Sequence, residues 1–104
     1  MERVGFTMRL LPDKEPEYRR RHAAVWPEML DALRAAGARD YSIFIRGVDL
    51  FAYLEVEDFA AFRAAMAATD VNDRWQAEMA ALIDPLTDPA TGFHQRLEEI
   101  FHLE

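Results

Sequence analysis

Cysteine is absent from the 104 residues. That excludes a disulfide framework, a thiolate nucleophile and any cysteine-held zinc or iron–sulfur centre. Glycine is scarce, with four residues dispersed along the chain, so no glycine-rich phosphate loop and no Gly-x-Ser-x-Gly elbow can be assembled. Three histidines are present, at positions 22, 94 and 102, and no two have metal-ligand spacing, so neither a metal nor a cofactor is expected. No window approaches the ~18 consecutive apolar residues of a membrane span. Met1-Glu2-Arg3 leads into an alternating pattern rather than a signal peptide, which predicts a soluble, cytoplasmic protein. Positive charge is in deficit, the formal net charge being −7, whereas a nucleic-acid binder needs a basic surface. The one basic cluster, Arg19-Arg20-Arg21, follows Glu15 and Glu17 at helical spacing and reads as surface ion pairs.

What remains is apolar and aromatic. Apolar residues make up 51% of the chain and aromatics 12%, enough for a packed core. The length suits one domain spanning 1–104, built as one layer of helices on one sheet. The far face of such a sheet needs a partner subunit or a ligand to cover it.

Periodicity supplies the elements. Val4, Phe6, Met8 and Leu10 alternate with Gly5, Thr7 and Arg9, which predicts a strand over Val4–Leu11. Asp13 is placed to cap a helix from Glu15 to about Ala36, with a kink or fresh start at Pro27 and a stop at Gly37. Strands are expected over Asp40–Arg46 and Leu50–Glu57, joined by a tight turn at Gly47-Val48-Asp49. Asp58 caps a helix from Phe59 to about Ala68; Thr69-Asp70-Val71-Asn72 then separates it from a helix over roughly Asp73–Leu82. A loop over Pro85–Gly92 and a last strand over Leu97–Leu103 complete the chain. The order β-α-β-β-α-(α)-β is a ferredoxin-like α+β arrangement, an antiparallel sheet with its helices on one face.

His22 is the most informative residue. It stands four after Tyr18 on a stripe continued by Val25, Met29 and Leu33, so phenol and imidazole can approach one small molecule. The same pattern fits a Tyr and a His at the rim of an ordinary amphipathic helix. Trp26 and Trp75 can anchor the core or wall a pocket. Tyr41 shares a strand face with Ile43 and Ile45 and can serve either purpose.

Taken together, these residues resemble a family. Glu17-Tyr18-Arg19-Arg20-Arg21-His22 with Val25-Trp26-Pro27-Glu28 is similar to the signature of the L-rhamnose mutarotases. The resemblance continues through Gly37-Ala38, Tyr41-Ser42-Ile43, Thr69-Asp70-Val71 and Arg74-Trp75 to the closing Leu97-Glu98-Glu99-Ile100-Phe101-His102-Leu103. It implies a homodimer of ferredoxin-like subunits whose sheets face each other as a dimeric α/β barrel. It further implies catalysis by His22 as general acid, with sugar contacts from Tyr18, Tyr41 and Trp75. Where the family often carries two adjacent tryptophans, this chain has Trp75 followed by Gln76. An amide can bond a sugar hydroxyl but offers no aromatic face.

Such a reaction suits these residue types. Mutarotation opens a cyclic hemiacetal and recloses it on the other carbonyl face, which takes one proton to the ring oxygen and one from the anomeric hydroxyl. An imidazole titrating near ~6.5 can give and take that proton. The second proton-transfer group stays open among Asp70, a backbone group and a bound water. The fold alone also permits a small monooxygenase, a haem-degrading enzyme, a lactone isomerase or a non-catalytic ligand-binding dimer module.

Overall fold

The alternation at the amino terminus produces β1, Glu2–Leu10, in a computed structural model that describes residues 1–104. From Val4 on, its even-numbered residues Val4, Phe6, Met8 and Leu10 are all buried, as a period of two demands of a strand with one covered face. β1 is central. It pairs antiparallel with β3 (Asp49–Val56) on one side and with β6 (Phe93–Leu97) on the other. β2 (Arg39–Arg46) lies outside β3. Two short strands complete the sheet: β4 (Ile83–Asp84) on the end of β1, and β5 (Thr87–Asp88) outside β6. The order β2-β3-β1-β6-β5 gives the antiparallel α+β arrangement expected of the βαββαβ pattern.

The long helical run divides into α1 (Glu15–Ala23) and α2 (Pro27–Ala35). Trp26, immediately before the proline, has φ −55° and ψ 131°, because the ring of a following proline disfavours helical backbone. Pro27 then occupies the first position of α2, where a missing N–H costs nothing. The cap expected of Asp13 is not made. Lys14 is the capping residue, without a side-chain bond, and Asp13 sits one residue early in the left-handed region at φ 63°.

Both later helices are capped by side chains. Ala61 N–H donates to Asp58 Oδ1 at 3.0 Å to open α3 (Phe59–Ala67), and Asn72 N–H donates to Thr69 Oγ1 at 3.3 Å to open α4 (Asp70–Met79). The separator read over Thr69–Asn72 therefore shrinks to Thr69 alone. Asp70 and Asp73 belong to the first turn, where carboxylates meet the positive end of the helix dipole.

The carboxy-terminal reading needs correction. The final strand is Phe93–Leu97, not Leu97–Leu103, and residues 98–104 carry no strand. Within the chain, β6 finds neighbours in β1 and β5, while the residues beyond it pair with no strand. Glu99 is nonetheless tied down by Arg3, whose Nε and Nη2 each donate to its carboxylate at 2.7 Å. The stretch 85–92, read as loop throughout, contains β5.

All four helices contribute to one core with the inner face of the sheet. Tyr18, Met29, Phe62, Met66, Trp75 and Met79 join Leu50, Ala52, Leu54 and Val56 in a single buried cluster. The opposite face stays open. Phe44 and Phe51, directly paired across β2 and β3, are 62% and 38% exposed, and Leu97, paired with Gly5, is 48% exposed. No helix is long and apolar enough to cross a membrane.

Candidate active site

Between the sheet and the helices lies a cavity of about 660 Å³. His22 enters it from α1, Trp75 and Gln76 from α4, Tyr41 from β2 and Phe6 from the centre of β1. The helical stripe and the strand alternation thus converge on one space. Of the five residues expected to act on or contact the sugar, four line it: His22, Tyr41, Trp75 and Gln76. Tyr18 does not line it. Buried in the core, it stacks on the His22 ring with centroids 4.1 Å apart and so supports that ring from behind.

The His22 imidazole is fixed on three sides. Its Nδ1 lies 2.9 Å from the carbonyl oxygen of Tyr18. A carbonyl can only accept, so Nδ1 carries a hydrogen and Nε2 is left as the free nitrogen. Tyr18 packs against one ring face, and Trp75 stands edge-on at 5.6 Å. Trp75 in turn meets Trp26 at 5.1 Å in a T-shaped pair, with the Arg74 guanidinium 5.7 Å from the Trp26 ring. A group that must hand a proton to one position on a substrate needs such immobilisation.

The phenols differ from the imidazole in readiness to titrate. Burial pushes Tyr18 far above the ordinary phenol range, and the nearby Tyr41 adds to this. Burial also pushes the Tyr41 hydroxyl up to about 12. Both remain protonated hydrogen-bonding groups at neutral pH. Gln76 reaches Asn72 Oδ1 through its Nε2 at 3.2 Å, which leaves the amide oxygen free to accept.

Asp70, a candidate for the second proton transfer, is elsewhere. Its carboxylate accepts from Arg74 Nε at 2.8 Å on the helix surface, with its side chain 85% exposed. It does not line the cavity. His94 does, and the local sequence gave no sign of it. Its ring stacks on Phe6 at 4.9 Å and an interplanar angle of 8°, and its Nδ1 lies 2.7 Å from the Pro85 carbonyl oxygen. Arg63 on α3 also lines the space. No group of three or more His, Asp or Glu side chains comes together that could hold a metal ion.

Both cavity imidazoles have their pKa lowered from the ordinary 6.5. Burial is the main cause for each; the bonds to Tyr18 and Pro85 carbonyls oppose it, and the Arg63 charge lowers His94 further. In the unfolded chain these histidines take up protons as pH falls through about 6.5, while the folded chain resists until lower pH. Their contribution to stability is therefore complete above about 6.5 and is lost as pH falls through the folded values. Urea unfolding at a series of pH values is expected to show a smaller acid-side loss in a His22→Asn, His94→Asn double variant than in the parent. Parallel profiles would contradict these shifts.

Comparison with known proteins resolves what this cavity belongs to. Residues 3–103 match the family model described as L-rhamnose mutarotase. The chain belongs to the L-rhamnose mutarotase family. An L-rhamnose mutarotase of Burkholderia orbicola is 47% identical, with both chains covered in full, and one from Listeria monocytogenes is 42% identical over 99% of each. The crystal structure of an L-rhamnose mutarotase from Formosa agariphila superposes with a TM-score of 0.80 at 30% identity, covering both chains completely. This membership separates the chain from the monooxygenases, lactone isomerases and binding modules that share its kind of fold.

Proposed function

We propose that this protein interconverts the α and β anomers of L-rhamnopyranose. His22 acts as the general acid toward the ring oxygen, Tyr41, Trp75 and Gln76 orient the sugar, and Tyr18 holds the His22 ring in place from behind. The observation that carries this reading is the His22 ring itself: clamped by Tyr18 and Trp75, tied through Nδ1, and lining the cavity with Nε2 unoccupied. Protonated at Nε2, it can deliver a proton as the C1–O bond of the ring breaks, and take it back on closure. A 6-deoxy pyranose has a methyl group and apolar C–H faces beside a rim of hydroxyls. Trp75 and Phe6 suit the first, and the Tyr41 hydroxyl and Gln76 amide suit the second. Saturation-transfer NMR on L-rhamnose tests it: irradiating one anomer must attenuate the other faster with the protein than without. Equal attenuation would remove the function.

The homodimer belongs to the same reading. Phe44, Phe51 and Leu97 on the open sheet face, with Ile100, Phe101 and Leu103 at 93%, 78% and 80% exposure, form an apolar surface that a second copy would cover. Two such sheets face to face make a dimeric α/β barrel, in the cytoplasm that the cysteine-free composition suits. A Phe44→Asp, Phe51→Asp variant is expected to sediment at the monomer mass while the parent sediments at twice that. A parent that sediments as a monomer would refute the dimer.

A further inference from the structure

Opening a hemiacetal requires two proton transfers at two oxygens on one carbon, and His22 accounts for one of them. Asp70 is on the surface in an ion pair. Among the groups that line the cavity, Arg63 carries no lone pair able to take a proton at any ordinary pH. Tyr41 is a phenol, protonated near neutrality even at the ordinary value of about 10, and so is no base there. His94 remains.

We propose that His94 is the second proton-transfer residue, accepting the anomeric hydroxyl proton while His22 protonates the ring oxygen. The inference rests on the reading of His22 as the acid. Its ground is a symmetry of construction between two unrelated elements. Each imidazole is bound through Nδ1 to a backbone carbonyl, Tyr18 at 2.9 Å for His22 and Pro85 at 2.7 Å for His94. Each is stacked on an aromatic ring, His22 on Tyr18 at 4.1 Å and 29° and His94 on Phe6 at 4.9 Å and 8°. Each is therefore left with one free nitrogen, Nε2, on a ring that lines the same cavity. One comes from the helix layer and the other from the sheet, so a sugar between them meets a proton carrier on each side.

The step balances with one proton shared by the pair. His22, as imidazolium, protonates the ring oxygen as its bond to C1 breaks. Neutral His94 removes the proton from the anomeric hydroxyl, and that O–H electron pair becomes the second bond of the aldehyde. After rotation about C1–C2, neutral His22 takes a proton from the attacking hydroxyl, and His94 returns its own to the new anomeric oxygen. The pair ends as it began. The Arg63 charge disfavours protonated His94, the direction that suits a proton acceptor.

The test is His94→Asn, whose amide N–H can still donate to the Pro85 carbonyl but cannot titrate. Measured beside His22→Asn, it is expected to lower kcat for anomer exchange by about 10²-fold, with KM within roughly threefold of the parent, the lower range for positioned acid–base catalysis. His94→Ala, which opens space for a free base, is expected to regain part of its lost rate with added imidazole. Parent-like kcat in His94→Asn while His22→Asn is impaired would overturn the proposal and leave the His22 reading intact. Parent-like kcat in both would remove both. A rise in KM alone would make His94 a sugar contact only, and that too overturns it. Should His94→Asn fail to fold, the alanine variant decides: no recovery with imidazole counts against a proton-transfer role.

Discussion

Replacing His22 by asparagine is expected to reduce catalysed anomer exchange by about 10²–10⁴-fold, equivalent to ~3–5 kcal/mol on the barrier. Asparagine is the informative substitute. Its amide N–H can keep a bond to the Tyr18 carbonyl, which accepts from His22 Nδ1 at 2.9 Å, yet it has no nitrogen that takes or gives a proton. Folding should survive, because His22 is only half-buried and leaves no charge unpaired when removed. The readout is saturation transfer between the anomers of L-rhamnose, with sugar affinity measured on the same sample. Exchange at the background rate with affinity kept within a few-fold supports proton transfer. Exchange above about a tenth of the parent's would mean that positioning, not the imidazole, supplies the rate, since positioned acid–base groups contribute at least about 10²-fold.

Residues read correctly from the sequence were those whose neighbours lie one helical turn or one strand step away. Tyr18 and His22 meet because residues four apart on a helix face the same way. Val4, Phe6, Met8 and Leu10 are buried because a strand alternates. Asp58 and Thr69 cap their helices through oxygens within three residues of the N–H groups they accept from. Trp75 was recognisable from its place after Thr69-Asp70-Val71, even though the helix beginning was read three residues late. The misreadings share a different cause. Leu97–Leu103 is rich in apolar residues, but a strand needs a neighbour, and residues 98–104 have none within the chain. His94 owes its place to the register of β6 on β1, where Thr7 pairs with Gln95 and Phe6 with Arg96. That register sets His94 on the inner face beside Phe6, and no local period encodes it. Tyr18 was expected to touch sugar; as the one buried residue of α1 it stacks on His22 and does not line the cavity.

The second large effect is expected at Trp75, which belongs both to the core and to the cavity wall. Only 6% exposed, the indole fills space between α4 and the break that separates α1 from α2, meeting His22 at 5.6 Å and Trp26 at 5.1 Å. Trp75→Ala should cost about 3–5 kcal/mol, the range for emptying a large aromatic site in a core. For a chain of this length, that lowers the melting temperature by roughly 15–30 °C. The same cavity would release the edge that fixes the His22 ring, so exchange should fall even in the fraction that stays folded. Trp75→Phe separates the two consequences. A phenyl ring restores most of the buried area and of the melting temperature, but it is shorter and cannot reach both His22 and Trp26 with the same edges. If Trp75 holds the imidazole in place, kcat in the phenylalanine variant stays well below the parent after stability has recovered. If kcat returns together with the melting temperature, Trp75 is a core anchor alone, and Tyr18 with its carbonyl is sufficient to orient His22.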